Sequence, residues 1–172
     1  MAALTLRLAT PTDLEEVMNI IEAAQRFIAQ QGFNQWQDGY PAQTDMLADI
    51  MAQRLYVLTD QIHIAAVAAV LVGVDPNYRL IETGSWLSYG RPYAAIHRVA
   101  VGAAFRGQHV GEQLFSALVM QLRQTHQVAS LRVDTHEANQ SMQHLITKVG
   151  FINCGRIYID GVAPRCAYEL IL

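Results

Sequence analysis

Cysteine is scarce. Cys154 and Cys166 are the only two in 172 residues, and neither belongs to a Cys-x-x-Cys pair, so a disulfide framework and a dithiol redox motif are both excluded. No run of basic residues occurs, and the formal net charge is −3 at pH 7, which argues against nucleic-acid binding through a broad positive face. A polyanionic ligand would have to be met by a local pocket of donors instead of a bulk field. The longest apolar run, Ile62 to Val74, is interrupted by His63 and is too short to cross a bilayer. The stretch from Met1 to Thr10 alternates and carries Arg7, so it lacks the continuous apolar core of a secretory leader. A cytoplasmic protein, with neither nucleic acid nor membrane as partner, is the expectation.

With 52% apolar and 16% charged residues, the chain is far from the composition of a disordered one. Its length suits one well-buried domain and not two comfortable ones. Leu4, Leu6 and Leu8 alternate with polar residues, the pattern of a first strand. Thr10-Pro11-Thr12-Asp13 supplies helix-start chemistry, and Leu14, Val17, Met18, Ile21, Ala24 and Ile28 follow at helical spacing toward Gly32. An aromatic, turn-rich loop through Phe33, Trp36 and Tyr40 comes next, then a short helix near 44–53 and a strand at 55–59. The β-branched and alanine-rich stretch from Ile62 fits a strand buried on both faces, closed by Asp75-Pro76-Asn77. Further strands are predicted at 95–101, 129–134, 151–159 and 165–171, with helices to about Thr125 and over 139–149. The order β-α-α-β-β-β-α-β-α-β-β, with no repeat and no long linker, predicts one mixed α/β domain over residues 1–172.

The most informative stretch is Ile96-His97-Arg98-Val99-Ala100-Val101, followed after five residues by Gly107-Gln108-His109-Val110-Gly111. A strand feeds a glycine-bearing turn that opens directly into a helix. Amides at a helix start, with the dipole behind them, form an anion site, and glycine lets the backbone approach a phosphate closely. Arg106 places a fixed positive charge in the same turn. No Gly-Lys-Ser/Thr follows, so a nucleotidase P-loop fits poorly, and the missing third glycine weakens a dinucleotide fingerprint.

Val99-Ala100-Val101 with Arg106-Gly107-Gln108-His109-Val110-Gly111 resembles motif A of the GNAT (GCN5-related) N-acetyltransferases, Arg/Gln-x-x-Gly-x-Gly/Ala. A second signature follows in order: a strand, Asn139, then a helix ending Lys148-Val149-Gly150-Phe151. Helix, the spacing of the two signatures and the closing strands together cover nearly the whole chain. The resemblance implies a GNAT acyl-CoA N-acyltransferase fold, with a central, mostly antiparallel sheet and helices on both faces. It implies acetyl-CoA as acyl donor, its pantetheine arm along the backbone of Val99 and Val101 as an added strand would lie. Its pyrophosphate would rest on the amides of Gly107, Gln108, His109, Val110, Gly111 and Glu112, with Asn139 as a further coenzyme contact. Asn139 is equally suited to capping the helix that follows it. His109 stands where a glycine is usual, as a donor to phosphate or as a solvent-facing residue of the first turn.

An alkylammonium of pKa about 10 leaves only about one molecule in a thousand as free amine at pH 7, so attack on a thioester requires proton removal. The expelled thiolate, like a thiol of pKa about 8.5, needs less help. His97 is the candidate base: simple alternation puts it on one strand face with Val99 and Val101. It also matches the inner histidine of the His-x-His-x-Leu-Ala-Val strand in the serotonin acetyltransferases, whose outer histidine is Ala95 here. Many relatives carry a tyrosine general acid in a Leu-Tyr-x-Lys-x-Gly-Phe pattern, and Ile146 occupies that position. No carboxylate or cysteine accompanies the remaining histidines at ligand spacing, so no metal site is expected.

Trp36 and Tyr40, with Asp38 or Glu82 and with His136 of the loop after the neighbouring strand, are the candidate acceptor contacts. The aromatics are equally suited to pinning the loop to the core. The functional expectation is transfer of an acetyl group from acetyl-CoA to an amine, more readily of a small molecule than of a protein. A catalytically silent acyl-CoA sensor is the alternative, and resemblance suggests a homodimer.

Overall fold

The computed structural model describes residues 3–60 and 62–172. Its elements are β1 (Thr5–Leu8), α1 (Leu14–Gln31), α2 (Gln43–Met51), β2 (Leu55–Thr59), β3 (Ile64–Val72), β4 (Tyr93–Val101), α3 (Val110–Thr125), β5 (Ser130–Thr135), α4 (Gln140–Lys148), β6 (Ile152–Ile159) and β7 (Ala163–Ile171). The order is the one the hydrophobic periodicity predicts, with ends displaced by one or two residues at most positions. Helix α1 stops because Gly32 adopts the left-handed conformation at φ 80, and its N–H closes onto the Ala29 carbonyl. At the other end Asp13 accepts the Thr10 N–H at 2.7 Å and clasps both terminal nitrogens of Arg7. None of the described helices is long and apolar enough to cross a membrane.

The strands form a seven-stranded mixed sheet in the order β1-β2-β3-β4-β5-β7-β6. Pairing is antiparallel for β1–β2, β2–β3, β5–β7 and β6–β7, and parallel for β4–β5. A parallel pair needs a crossover, and α3 supplies it. Ile64 to Val70 are all buried, as expected for a strand covered on both faces.

Two compact units share these elements: residues up to Val70 with Arg98–Leu114, and Leu71–His97 with Phe115–Leu172. In the first, the stripe Val17, Ile20, Ile21, Ala24 and Ile28 of α1 is buried, as are Met46 and Ile50 of α2. Asp49, on the same helix, is buried too and holds Arg54 at 2.6 Å and Arg98 at 2.9 Å.

In the second unit, Phe115 and Phe151 meet edge to face at 5.7 Å. Tyr78, Trp86 and Tyr93 form a separate cluster with Ala95, Cys154, Ile157 and Ala167. Fully buried Glu169 on β7 ties the loop over that cluster, accepting from the backbone of Leu87 and Ser88 and from the Ser88 and Ser130 hydroxyls. Arg132 completes the network at 3.0 Å, its guanidinium 4.1 Å from the Trp86 ring centre and 3.8 Å from that of Tyr93. Burial pushes the Glu169 carboxyl up, yet the Ser130, Ser88 and Arg132 hydrogen bonds outweigh it and hold it below its usual range.

Candidate active site

Strand β4 is not a regular ribbon. Arg98 has φ 54, a left-handed conformation that interrupts the alternation of side chains. Unbroken alternation would put His97 on one face with Val99 and Val101, and this kink breaks that alternation. Regularity holds up to His97, whose ring lies 5.7 Å from that of Tyr78, within the cluster that also takes Tyr93 and Ala95. Arg98 turns to Asp49, and its guanidinium carbon lies 5.4 Å from the centre of the Tyr40 ring.

Beyond Val101 the turn carries Gly107 at φ 77, with open space where a Cβ would stand. His109 is also left-handed, at φ 58, which explains why glycine suits that position. Its side chain is 70% exposed, with Nδ1 2.8 Å from Glu112 of the same first turn. The helical ladder opens with the Gln113 N–H on the His109 carbonyl. The amides of Val110 and Gly111 therefore precede it and point out of the helix start. Gln108 bonds back to the Ala104 carbonyl through its side chain. Arg106 departs from expectation: it donates to the Ala23 carbonyl of α1 at 3.1 Å and lies 4.5 Å from the Phe27 ring centre. Its charge anchors α1 instead of standing free beside the turn.

The second unit surrounds His97 with groups that no spacing in the sequence brings together. His97 Nε2 is 2.7 Å from Asp75 Oδ2, and Nδ1 is 3.9 Å from Asp134 Oδ1. The Tyr78 hydroxyl donates to that same Asp134 oxygen at 2.6 Å. These two carboxylates respond differently to their surroundings. Desolvation raises Asp75, but the His97 hydrogen bond, the Asn77 N–H and the histidine charge prevail and leave it below the usual range. Desolvation dominates at Asp134 and leaves it raised, despite His97, Tyr78 and Arg165. Burial, then the Asp134 charge, pushes Tyr78 well above its usual value. The β4–β5 register ends at Ile96↔Val133, so His97 and Asp134 are the next residues on the two strands.

A sequence model of the Acetyltransferase (GNAT) family matches residues 16–151. The chain belongs to the GNAT family. Among solved structures, it is 34% identical to a GNAT-family acetyltransferase from Streptococcus agalactiae, with a TM-score of 0.90 over 98% of this chain and 95% of that one. A GNAT-family acetyltransferase from Listeria monocytogenes shares 21% identity at a TM-score of 0.72, covering 98% and 95% of the two chains. The Salmonella typhimurium protein yncA, solved with its cofactor acetyl-CoA, shares 18% identity at a TM-score of 0.67, covering 99% and 94%. The last two likenesses speak to the fold alone. A search of curated proteins finds no match.

Most of the other residues singled out in the sequence have local partners. Asn139 caps α4, its Oδ1 accepting the Met142 N–H at 3.1 Å. His136 accepts the Ala138 N–H on Nδ1 at 3.0 Å, and desolvation followed by the Arg165 charge lowers its pKa. Glu82 is exposed and pairs through its backbone with Arg156 of β6. Trp36 is half-buried at φ 61, and Asp38 accepts the Tyr40 N–H at 3.3 Å. Tyr40, read as a ring for a substrate cation, already faces Arg98. Ile146, at the place of the usual tyrosine, is wholly buried in the core. Asp75, Tyr78 and Asp134 were not legible as site residues, since Asp75-Pro76-Asn77 reads as a turn and Asp134 as a strand end.

Proposed function

We propose that this GNAT protein transfers the acetyl group of acetyl-CoA to a primary amine, of a small molecule before a protein. The observation that carries the reading is the turn before α3, with Gly107 open to approach and the Val110 and Gly111 amides ahead of the helical ladder. That arrangement suits a diphosphate, and a fold relative is known with acetyl-CoA bound. The backbone of Val99 and Val101, the turn residues from Arg106 to Glu112 and Asn139 are assigned to coenzyme binding. Arg106 is kept there through its backbone.

When bound, acetyl-CoA supplies an activated acyl group: the nitrogen lone pair forms the C–N bond, and the C–S bond breaks with its electron pair going to sulfur. His97 takes the proton that frees the attacking lone pair, and solvent receives the second proton as the amide forms. Ile146 stands at the place of the usual tyrosine acid, so the thiolate departs unprotonated or takes its proton from water.

The test combines calorimetric binding of acetyl-CoA with thiol release across alkylamines, polyamines, amino-acid amides and short peptides. Turnover on one class, lost in His97→Gln while coenzyme affinity is kept, supports the enzyme. Binding without turnover on any class supports the sensor, the reading that Ile146 favours. Absence of binding rejects both.

A further inference from the structure

The surroundings of His97 specify which of its nitrogens can act. A neutral imidazole has one N–H, and its place is set by the partner of each nitrogen. Asp75, held below the usual carboxylate range, is an acceptor only. The 2.7 Å contact is therefore a hydrogen bond that Nε2 donates.

Asp75 is itself held from several sides. Its Oδ1 accepts the Asn77 N–H at 2.9 Å, and its own N–H donates to the Tyr93 hydroxyl at 2.8 Å. The Tyr93 ring is fixed in turn against Arg132 and stacked on Tyr78 at 6.2 Å. The carboxylate is thus rigid where the ring needs a fixed acceptor. On the other side, Nδ1 faces Asp134 across 3.9 Å, too far for a direct hydrogen bond, and the nearer oxygen already receives the Tyr78 hydroxyl. Nδ1 therefore faces an acceptor and keeps its lone pair. The His97 side chain retains 19% of its accessible surface, which leaves a route for a proton to solvent.

We infer, resting on the assignment of His97 as the base, that Asp75 is a positioning residue that holds the proton on Nε2 so that Nδ1, beside Asp134, takes the proton of the acceptor ammonium. In that step the N–H bond of the ammonium breaks, its electron pair stays on the amine nitrogen, and the proton forms a bond to Nδ1. The resulting imidazolium lies between Asp75 and Asp134 before its proton passes to solvent. The arrangement also favours an acceptor that arrives as a cation, since Asp134 faces the same gap.

The tautomer is measurable in the intact protein without coenzyme or acceptor. Long-range proton–nitrogen correlation spectra of protein labelled with ¹⁵N in its histidines, recorded above the range where imidazole titrates, distinguish an Nε2–H from an Nδ1–H ring. The expected wild-type signature at His97 is Nε2–H. In Asp75→Asn the amide can donate to Nε2 while its oxygen still accepts from Asn77, so the signature switches to Nδ1–H, whereas Asp134→Asn retains Nε2–H. A wild-type Nδ1–H ring overturns the inference on its own, as does an unchanged ring in Asp75→Asn. Failure to bind acetyl-CoA, by contrast, would reject the proposed function and leave the tautomer as measured.

Discussion

The guanidinium of Arg98 lies 2.9 Å from the carboxylate of Asp49, whose side chain is entirely withdrawn from solvent. The approach is close but not aligned as a hydrogen bond, and Arg98 Nε and Nη1 have no hydrogen-bond partner among the described residues. The pair therefore acts through charge, helped by the Tyr40 ring, while Arg54 bonds the second carboxylate oxygen at 2.6 Å. It ties the kink of β4 to α2 within one unit. Asp49→Ala leaves a largely enclosed arginine without its counter-charge, and a loss of about 3–5 kcal/mol in unfolding free energy is expected, read by urea denaturation.

Acid stability has an identifiable contributor at the N-terminal end. The Arg7 hydrogen bonds, against a modest desolvation, hold the Asp13 carboxyl at about 2 from an unfolded value of 3.8. A depressed carboxyl stabilises the fold fully above the unfolded value and loses that contribution as pH falls through 3.8 toward about 2. Asp13→Asn should therefore reduce stability at pH 7 and flatten the acid limb between those values. Unfolding midpoints measured across that range check it; an unchanged acid limb would remove Asp13 from the account.

Gly84 is required by space, not by backbone conformation. A Cβ there would lie 2.0 Å from the carbonyl oxygen of Cys154, a backbone atom that cannot swing aside. Gly84→Ala must separate the 82–84 segment from β6, where Glu82 and Arg156 exchange hydrogen bonds of 2.7 and 2.8 Å. A destabilisation of about 1–3 kcal/mol is expected. Faster amide exchange at Glu82 and Arg156 would locate the damage.

The proposed diphosphate site gives a contrast between two charges in one turn. Gly111→Glu places a carboxylate in the first turn of α3 and should weaken acetyl-CoA binding at least about tenfold, or about 1.4 kcal/mol. Arg106→Ala should weaken it less, because that guanidinium contacts Ala23 and Phe27 of α1, and should lower thermal stability instead. Calorimetry and thermal melts on the two variants separate binding from anchoring. Equal losses of affinity would mean that Arg106 leaves α1 to meet the phosphates.

The order of strands and helices, the αL stop at Gly32 and the doubly buried β3 were legible because each follows from local periodicity and turn chemistry. The glycine turn and the helix start after it were legible for the same reason: both are built from consecutive residues. His97 could be named from its place in a motif, but not oriented. Its direction depends on a left-handed residue, Arg98, that sequence does not mark, and on two carboxylates, Asp75 lying 22 residues away along the chain and Asp134 brought alongside by strand pairing.

What the chain determines by itself, then, is the succession of elements and the open amides at the start of α3, because both are properties of short contiguous segments. What tertiary structure alone decides is charge pairing: that Arg106 serves α1, that Arg98 serves Asp49, and that His97 points one nitrogen at Asp75 and the other toward Asp134. Those choices depend on distances between segments remote along the chain. Within a few ångströms they determine whether a titratable side chain anchors a helix or faces an acceptor.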